Sequence, residues 1–393
     1  MTICTGCGRA FILIKYERCE IMLWFRVPEK IYFKKGCMEL ALDELKAVYN
    51  KKRAFIVTDP ELYKNGYTNE LEKKLKSIGI QSTVFSNIRP VITLSCIEEG
   101  VKAMKLFDTD TVIALGTDKA INTAKLMRVF YEKPDTDLAF LNEHYYSIRN
   151  TEEIFSHENR KTQFVVIPVL YGNGSEVMPY AEVIDNNNNY CPITNYSLMP
   201  DMCIIDSDYY NGLPEKFGYA PGFNQLAHAL FAYSSSFSSE YTNSFAIQAI
   251  KNIFEYLPSV YRNGQRNIVA EEKISEASAM AGIAAANTEM SICSVISNAL
   301  SDLYNIDSNV ACAIILPRII NSDIIKSEMI RKKFSELAEI IGMNDADGLV
   351  SGIEKLKDKC GFQERISKLK EENERAFIFM DEHVFQDYTV RPE

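Results

Sequence analysis

The sequence predicts an α/β domain of the dinucleotide-binding type followed by an all-α domain. Up to about residue 208, short β-branched apolar segments alternate with amphipathic segments, and after Leu213 only helical spacing remains. Strands that alternate with helices are typical of a parallel sheet covered on both faces. A length of 393 residues fits two or three domains. We therefore predict an N-terminal extension over 1–29, an α/β nucleotide-binding domain over 30–212 and a helical domain over 213–393.

The predicted strands of the first domain are nearly continuous apolar segments. They are Arg53–Asp59, Gln81–Ile88, Thr111–Gly116, Gln163–Leu170 and Met202–Asp206. Between them, amphipathic spacing predicts helices over Leu62–Ile78, Ser95–Phe107 and Ala120–Phe130. The run Asn186–Asn189 predicts a turn between two short strands, because asparagine tolerates turn conformations.

The second half carries helical spacing in six segments. They are Glu215–Tyr233, Tyr241–Tyr261, Ala270–Ser294, Val310–Ile320, Lys332–Ile341 and Ala346–Lys359. Pro214 suits the first turn of a helix, where its missing N–H costs nothing. Pro258 predicts the end of a helix or a short turn.

Charge and composition exclude several partners. A formal net charge of −10 argues against nucleic acid, whose phosphates require a basic face. No continuous apolar run approaches the ~18 residues of a membrane span, so we expect no membrane contact. The N-terminus lacks the features of a secretory signal, and we expect a cytoplasmic protein. Cys4 and Cys7 lack the second pair that a structural zinc site needs.

The segment Thr111–Lys125 reads as a strand, a glycine and a helix. A dinucleotide-binding domain places a pyrophosphate there, on the helix N-terminus. Only Gly116 is present, and Asp118 would repel a phosphate. The residues alone therefore favour an ordinary strand–helix turn.

Four segments in order nevertheless resemble the motifs of the iron-type (group III) alcohol dehydrogenase family. They are TVIALGTDKAINTAK at 111–125, YGNGSEVMP at 171–179, PDMCIID at 200–206 and AGIAAAN at 281–287. The resemblance is strongest to the alcohol dehydrogenase domain of bifunctional aldehyde–alcohol dehydrogenases. Glu20–Gly36 is similar to the entry into that domain, and Thr5–Gly8 resembles the end of the preceding aldehyde dehydrogenase domain. The chain is thus a candidate fragment or derivative of such a fusion.

The resemblance implies a fold, cofactors and partners. The fold is the dehydroquinate synthase-like fold of iron alcohol dehydrogenases, and the cofactors are NAD and a divalent iron or zinc ion held between the domains. It implies a homo-oligomer or assembly with related dehydrogenase subunits. The cofactor-binding residues implied by motif position are Asp59, Gly116, Lys125, Gly172, Gly174 and Ser175. Two of them have alternatives: Asp59 as the N-cap of the helix after Pro60, and Lys125 as an exposed lysine.

The metal ligands of the family are one Asp and three His. At those positions this sequence has Asn224, His228, Ser294 and Ser308, so only His228 keeps the ligand type. A catalytic zinc or iron site usually needs three good protein ligands. We therefore expect no tightly bound metal or NAD. The alternative for His228 is a buried histidine without a ligand role.

Three functions are compatible with these residues. The first is a degenerate relative with a structural, assembly or regulatory role, and we favour it because the ligands are lost. The second is an active NAD-dependent enzyme that interconverts short primary alcohols and aldehydes. The third, altered metal-free chemistry, ranks last because no replacement acid–base pair stands out.

Overall fold

The computed structural model describes residues 24–89, 91–136, 160–171, 174–187, 190–210, 219–262, 265–289, 291–304 and 306–372. Most of the predicted extension, and Gly172, lie outside these residues. The described chain forms a parallel α/β region followed by a helical region, which confirms the predicted fold class.

Eight strands belong to the described part of the α/β region. They are β1 (Lys30–Phe33), β2 (Arg53–Thr58), β3 (Gln81–Phe85), β4 (Thr111–Gly116), β5 (Gln163–Pro168), β6 (Tyr180–Ile184), β7 (Tyr190–Thr194) and β8 (Met202–Ile205). Six of them form a parallel sheet in the order β1-β8-β5-β4-β2-β3. The other two, β6 and β7, pair antiparallel on either side of the predicted asparagine turn.

Helices cover both faces of this sheet. They are α1 (Cys37–Ala47), α2 (Pro60–Lys64), α3 (Thr68–Ser77), α4 (Leu94–Phe107) and α5 (Asp118–Glu132). Residues of α4 and α5 form an apolar core on one face of the sheet, and residues of α1 and α3 form another on the opposite face. The helix predicted over Leu62–Ile78 is two helices. Gly66 separates them with a φ of 78°, a conformation that glycine adopts without steric cost.

The helical region contains eight described α-helices and a hairpin of two-residue strands, β9 (Tyr261–Arg262) and β10 (Gln265–Arg266). The helices are α6 (Ala220–Ser234), α7 (Glu240–Tyr256), α8 (Ile268–Ala286), α9 (Ile292–Tyr304), α10 (Ser308–Lys326), α11 (Glu328–Ile340), α12 (Ala346–Lys359) and α13 (Phe362–Glu372). The helix predicted over Ala270–Ser294 ends at Ala286, and Ser294 lies in the next helix. Most of the eight helices share one apolar core.

Helix α10 lies in this core. By length and composition it could cross a membrane, with a mean hydropathy of 1.3 over its most apolar window, of which 61% is buried inside the protein. A core helix passes the same test. Its residues from Val310 to Pro317 are all buried, and Pro317 lies inside the helix.

The two regions meet along helix α8. Ala279 and Ile283 of this helix pack against Val177, Cys203 and Ile205 of the α/β region. The approach is closest at two glycines: a Cβ on Gly174 would lie 2.6 Å from the Cα of Gly282. This contact surface, the α8 seam, fixes the loop after β5 against the helical region.

Candidate functional site

The first group of predicted site residues lies at the carboxyl edge of the sheet. Asp59 follows β2, and its carboxylate accepts hydrogen bonds from the backbone N–H of Thr117 (2.7 Å) and from the Thr117 hydroxyl (2.8 Å). A Cβ on Gly116 would lie 2.3 Å from Oδ2 of Asp59. Gly116 therefore leaves room for this carboxylate at the start of α5.

These contacts correct one prediction for Asp59. The residue is the N-cap of α2 by position, but its side chain makes no capping hydrogen bond there. It instead binds the N-terminal turn of α5, whose free N–H groups attract anions. Burial raises the pKa of Asp59 above its usual value, although the hydrogen bonds from Thr117 oppose this shift. A cofactor phosphate would compete with this carboxylate for the same N–H.

Lys125 is not an exposed lysine, and that alternative is wrong. Its side chain is fully buried. The ammonium group donates to the carbonyl oxygens of Met178 (2.9 Å) and Tyr180 (2.7 Å), and lies 3.4 Å from Oδ1 of Asn122. Desolvation lowers the pKa of Lys125 to about 7. Because three acceptors surround three N–H donors, Lys125 fastens α5 to the segment that enters β6.

The loop after β5 contains the remaining cofactor candidates, Gly174 and Ser175. Gly174 has a φ of 76° in addition to its contact with Gly282, so packing alone requires glycine there. Ser175 is buried. The next residue, Glu176, accepts a hydrogen bond of 2.9 Å from the Ser278 hydroxyl on α8, and burial raises the pKa of Glu176 to about 7. The role of Gly174 and Ser175 in binding NAD stays a prediction.

Three of the four predicted metal-ligand positions come together in the helical region. Asn224 and His228, four residues apart on α6, both face Ser294 on α9. The Ser294 hydroxyl donates to Oδ1 of Asn224 over 2.7 Å, and its oxygen lies 3.3 Å from Nε2 of His228. All three side chains are buried, with relative exposures of 2%, 2% and 4%. We call Asn224, His228, Ser294 and Asn309 the amide–serine cluster.

The fourth member comes from the residue after the predicted one. Nδ2 of Asn224 donates to Oδ1 of Asn309 over 3.3 Å. Ser308 is the first residue of α10, next to the N-cap Asp307, whose carboxylate accepts from the N–H groups of Asn309 and Val310. The structure thus brings Asn309 into the cluster, and the assignment of Ser308 to a ligand position of the family stays a prediction.

His228 is a neutral imidazole in this setting. Burial lowers its pKa to about 4. Because the Ser294 proton is directed to Asn224, Nε2–H of His228 is the donor to Ser294, and Nδ1 is the unprotonated nitrogen. Nδ1 is buried and has no hydrogen-bond partner among the described residues, and the same holds for the side-chain amide of the neighbouring Gln225.

This donor set does not fit a tightly held iron or zinc ion. Such an ion prefers carboxylate, imidazole or thiolate ligands, whereas this cluster offers two amides, one hydroxyl and one imidazole. Its oxygens already serve as partners within the cluster. Across the described ranges, no three His, Cys, Asp or Glu side chains are placed to hold a metal.

The α/β region and the helical region together have the fold of iron-containing alcohol dehydrogenases. Residues 28–207 match the iron-containing alcohol dehydrogenase family, and residues 219–389 match the C-terminal domain of the Fe-containing alcohol dehydrogenase family. The chain therefore belongs to the iron-containing alcohol dehydrogenase family.

Known relatives place it further within this family. It is 40% identical over 77% of its length to the aldehyde-alcohol dehydrogenase of Clostridium acetobutylicum, covering 35% of that protein. It is 33% identical over 86% of its length to the bifunctional aldehyde-alcohol dehydrogenase of Escherichia coli K12, covering 40% of that protein. The chain thus spans well under half the length of these relatives and resembles their alcohol dehydrogenase domain.

A solved structure agrees in fold. Sulfoacetaldehyde reductase from Bifidobacterium kashiwanohense, solved in complex with NAD+, superposes with a TM-score of 0.75 at 22% identity. The match covers 87% of this chain and 86% of that one.

Several contacts of the site were missed by the sequence analysis. Asn309 in the cluster, the Glu176–Ser278 pair and Asn287 at the end of α8 were not singled out for these roles. Asn309 directly follows Ser308, so the spacing alone did not separate the two. Glu176 and Asn287 lie inside the motifs quoted above, and their partners, Ser278 and Arg26, are 102 and 261 residues away in the sequence.

Proposed function

We propose that this chain keeps the alcohol dehydrogenase fold without the metal-dependent chemistry, and serves a structural, assembly or regulatory role. The observation that carries the proposal is the 2.7 Å hydrogen bond from Ser294 to Asn224. It joins two side chains at positions where the family has metal ligands. Without a cation there is no Lewis acid to lower the pKa of a bound alcohol.

The cofactor edge supports the same proposal. Asp59 takes the first N–H of the α5 turn, and Asp118 adds a second carboxylate at that helix start. Both charges oppose a pyrophosphate. We expect weak or absent NAD binding.

The alternative is an active NAD-dependent alcohol dehydrogenase for short primary alcohols and aldehydes. Family membership favours it, because its curated relatives are named as dehydrogenases. In that case an iron or zinc ion would be recruited by a rearrangement of the amide–serine cluster around His228.

Turnover and cofactor titration separate the two proposals. We expect background oxidation of ethanol and background reduction of acetaldehyde, and no saturable NADH binding at micromolar concentrations. The double variant Thr117→Gly, Asp118→Gly should bind NADH more tightly, since it frees the turn and removes a repelling charge. Saturable NADH binding with turnover by the unmodified protein would reverse the order of the proposals.

The non-catalytic role requires a partner. We propose a second copy of this chain or a related dehydrogenase subunit, acting in the cytoplasm. Size-exclusion chromatography with light scattering, on the chain alone and mixed with a bifunctional relative, tests this. A monomer that does not co-elute with the relative would contradict the assembly role.

A further inference from the structure

Asn287, the last residue of the AGIAAAN motif, binds the chain segment that precedes the sheet. Its Nδ2 donates to the carbonyl oxygen of Arg26, and its Oδ1 accepts from the N–H of the same residue, each over 2.7 Å. The amide thus pairs with both backbone groups of one residue, as a neighbouring strand would. A third hydrogen bond, from Nδ2 to the carbonyl oxygen of Ile283 (2.9 Å), fixes the amide at the end of α8.

The same segment contacts the α/β region through its flanking side chains. The indole N–H of Trp24 donates to the hydroxyl of Tyr196 over 2.8 Å. The guanidinium of Arg26 lies 4.4 Å from the centre of the Tyr196 ring, a distance suited to a cation–π interaction. Tyr196 follows strand β7 and is itself buried.

Phe25, which lies between Trp24 and Arg26 in the sequence, contacts the helical region. The ring of Phe25 stacks on Phe245 of α7 with 5.8 Å between centroids, and lies 5.6 Å from the ring of Tyr241. Phe25 also packs against the apolar cluster of the α8 seam, which includes Ile205 from β8 and Ile283 from α8.

We propose that Trp24–Pro28 is an interdomain strap, and that Asn287 is the residue that positions it. Within five residues the strap contacts Tyr196 of one region, Phe245 of the other, and the helix that joins them. It closes the edge of the α8 seam, so the packing of the two regions depends on it. This inference is independent of the proposed function, because it involves no metal, cofactor or turnover.

The sequence supplies a direct reporter for this device. Trp24 is the one tryptophan of the chain, so intrinsic tryptophan fluorescence reports the strap alone. Asn287→Leu removes both hydrogen bonds to Arg26, and that to Ile283, and keeps a similar side-chain volume. The matched control is Asn252→Leu, the same change at a buried position of α7, where the side-chain oxygen accepts a hydrogen bond from Gln248 of the same helix.

We expect Asn287→Leu to shift Trp24 emission to longer wavelength and to increase its quenching by acrylamide. Far-UV circular dichroism should show that the helices remain. On heating, fluorescence and dichroism should change together in the unmodified protein. In Asn287→Leu, fluorescence should change at a lower temperature, and the dichroism midpoint should also fall because the seam is weakened. Asn252→Leu should keep the emission and quenching of the unmodified protein.

Two results would overturn the proposal. One is Trp24 emission and quenching in Asn287→Leu equal to those of the control. The other is a change in Trp24 emission and quenching with an unchanged dichroism midpoint. That result would mean that the strap binds the two regions without stabilising their packing. If Asn287→Leu does not fold, Phe25→Ala removes the contacts with Phe245, with Tyr241 and with the apolar cluster of the α8 seam. It should give the same two changes, with the same results contradicting the proposal.

Discussion

The hydroxyl of Ser294 contacts two neutral side chains of the amide–serine cluster, Asn224 and His228. A serine hydroxyl donates one proton, and here that proton is directed to Asn224. Its oxygen remains as acceptor for His228. Both neighbours therefore gain a neutral hydrogen bond in a buried site, where an unpaired polar atom would cost about 1–3 kcal/mol.

Ser294→Ala should lower the free energy of unfolding by about 1–2 kcal/mol, because Asn224 and His228 both lose their contact with the hydroxyl. Urea unfolding measures the change. The matched control is Ser275→Ala, a buried serine whose hydroxyl binds only a carbonyl four residues back in its own helix. A larger loss in Ser275→Ala than in Ser294→Ala would contradict this account of the cluster.

The second residue-scale prediction concerns pH. His228 has a pKa of about 4 in the folded protein and 6.5 as its ordinary value, so between these values the unfolded chain binds more protons. Its contribution to stability is therefore complete above pH 6.5 and falls as the pH drops towards 4. Over this window the loss is on the order of 3 kcal/mol.

Glu176 shifts stability in the opposite direction, since its raised pKa favours the folded state at low pH. The comparison must therefore isolate His228. Relative to the unmodified protein, His228→Gln should gain stability as the pH is lowered from 7 to 4.5, as measured by urea unfolding at each pH. A stability difference that stays constant over this range would show that His228 does not titrate as described.

At the scale of elements, the α8 seam depends on backbones that approach within van der Waals contact. Gly174 and Gly282 face each other, and a Cβ on either would overlap the other's backbone. Backbone atoms cannot rotate away as a flexible side chain can. The loop that the family resemblance assigns to the cofactor is thus held by packing, whatever it binds.

Gly174→Ala should lower the free energy of unfolding by more than the positive φ alone would, because the added Cβ would also overlap Gly282. Gly36 provides the control, with a φ of 79° and no atom within 4 Å of a Cβ. Gly36→Ala should cost about 1–2 kcal/mol, the penalty of a left-handed conformation. Gly174→Ala should cost a further 1–3 kcal/mol or so through overpacking. Equal losses in thermal unfolding would show that the loop can move away from α8.

Elements were easier to predict from the sequence than the contacts between them. Strand β4, Thr111–Gly116, was predicted to the residue, because a continuous apolar run that ends at a glycine is a local signal. The other four predicted strands begin at the predicted residue and end one to three residues earlier than predicted. Strand β1 was not predicted, since four half-exposed residues at a sheet edge carry no strong pattern. The extra turn at Gly66 and the end of α8 at Ala286 depend on local backbone conformation that periodicity does not encode.

In the candidate site, too, the positions of residues were easier to predict than their contacts. Its positions followed from motifs that resemble a family, and Asn224, His228 and Ser294 do converge. Asp59 binds Thr117, and Lys125 is buried against Met178. Both are tertiary contacts between residues far apart in sequence. No spacing rule within one segment predicts them.

At the scale of the whole molecule, we expect that substitutions can restore metal binding. The combined change Asn224→Asp, Ser294→His and Asn309→His would give two new imidazoles and a carboxylate beside His228. With excess zinc this variant should melt at a higher temperature than with chelator, since saturation to 100-fold above Kd adds about 2.7 kcal/mol. The same variant with Ser308→His in place of Asn309→His should respond less, because Asn309 contacts Asn224.

We propose that the unmodified chain forms the amide–serine cluster in place of a metal centre. The test is elemental analysis of the 393-residue chain, purified from cells supplied with iron and zinc, without chelators or affinity metals. We expect substoichiometric iron and zinc, and a melting temperature that chelator does not change. One equivalent of either metal per chain, with a melting temperature that falls on its removal, would contradict it.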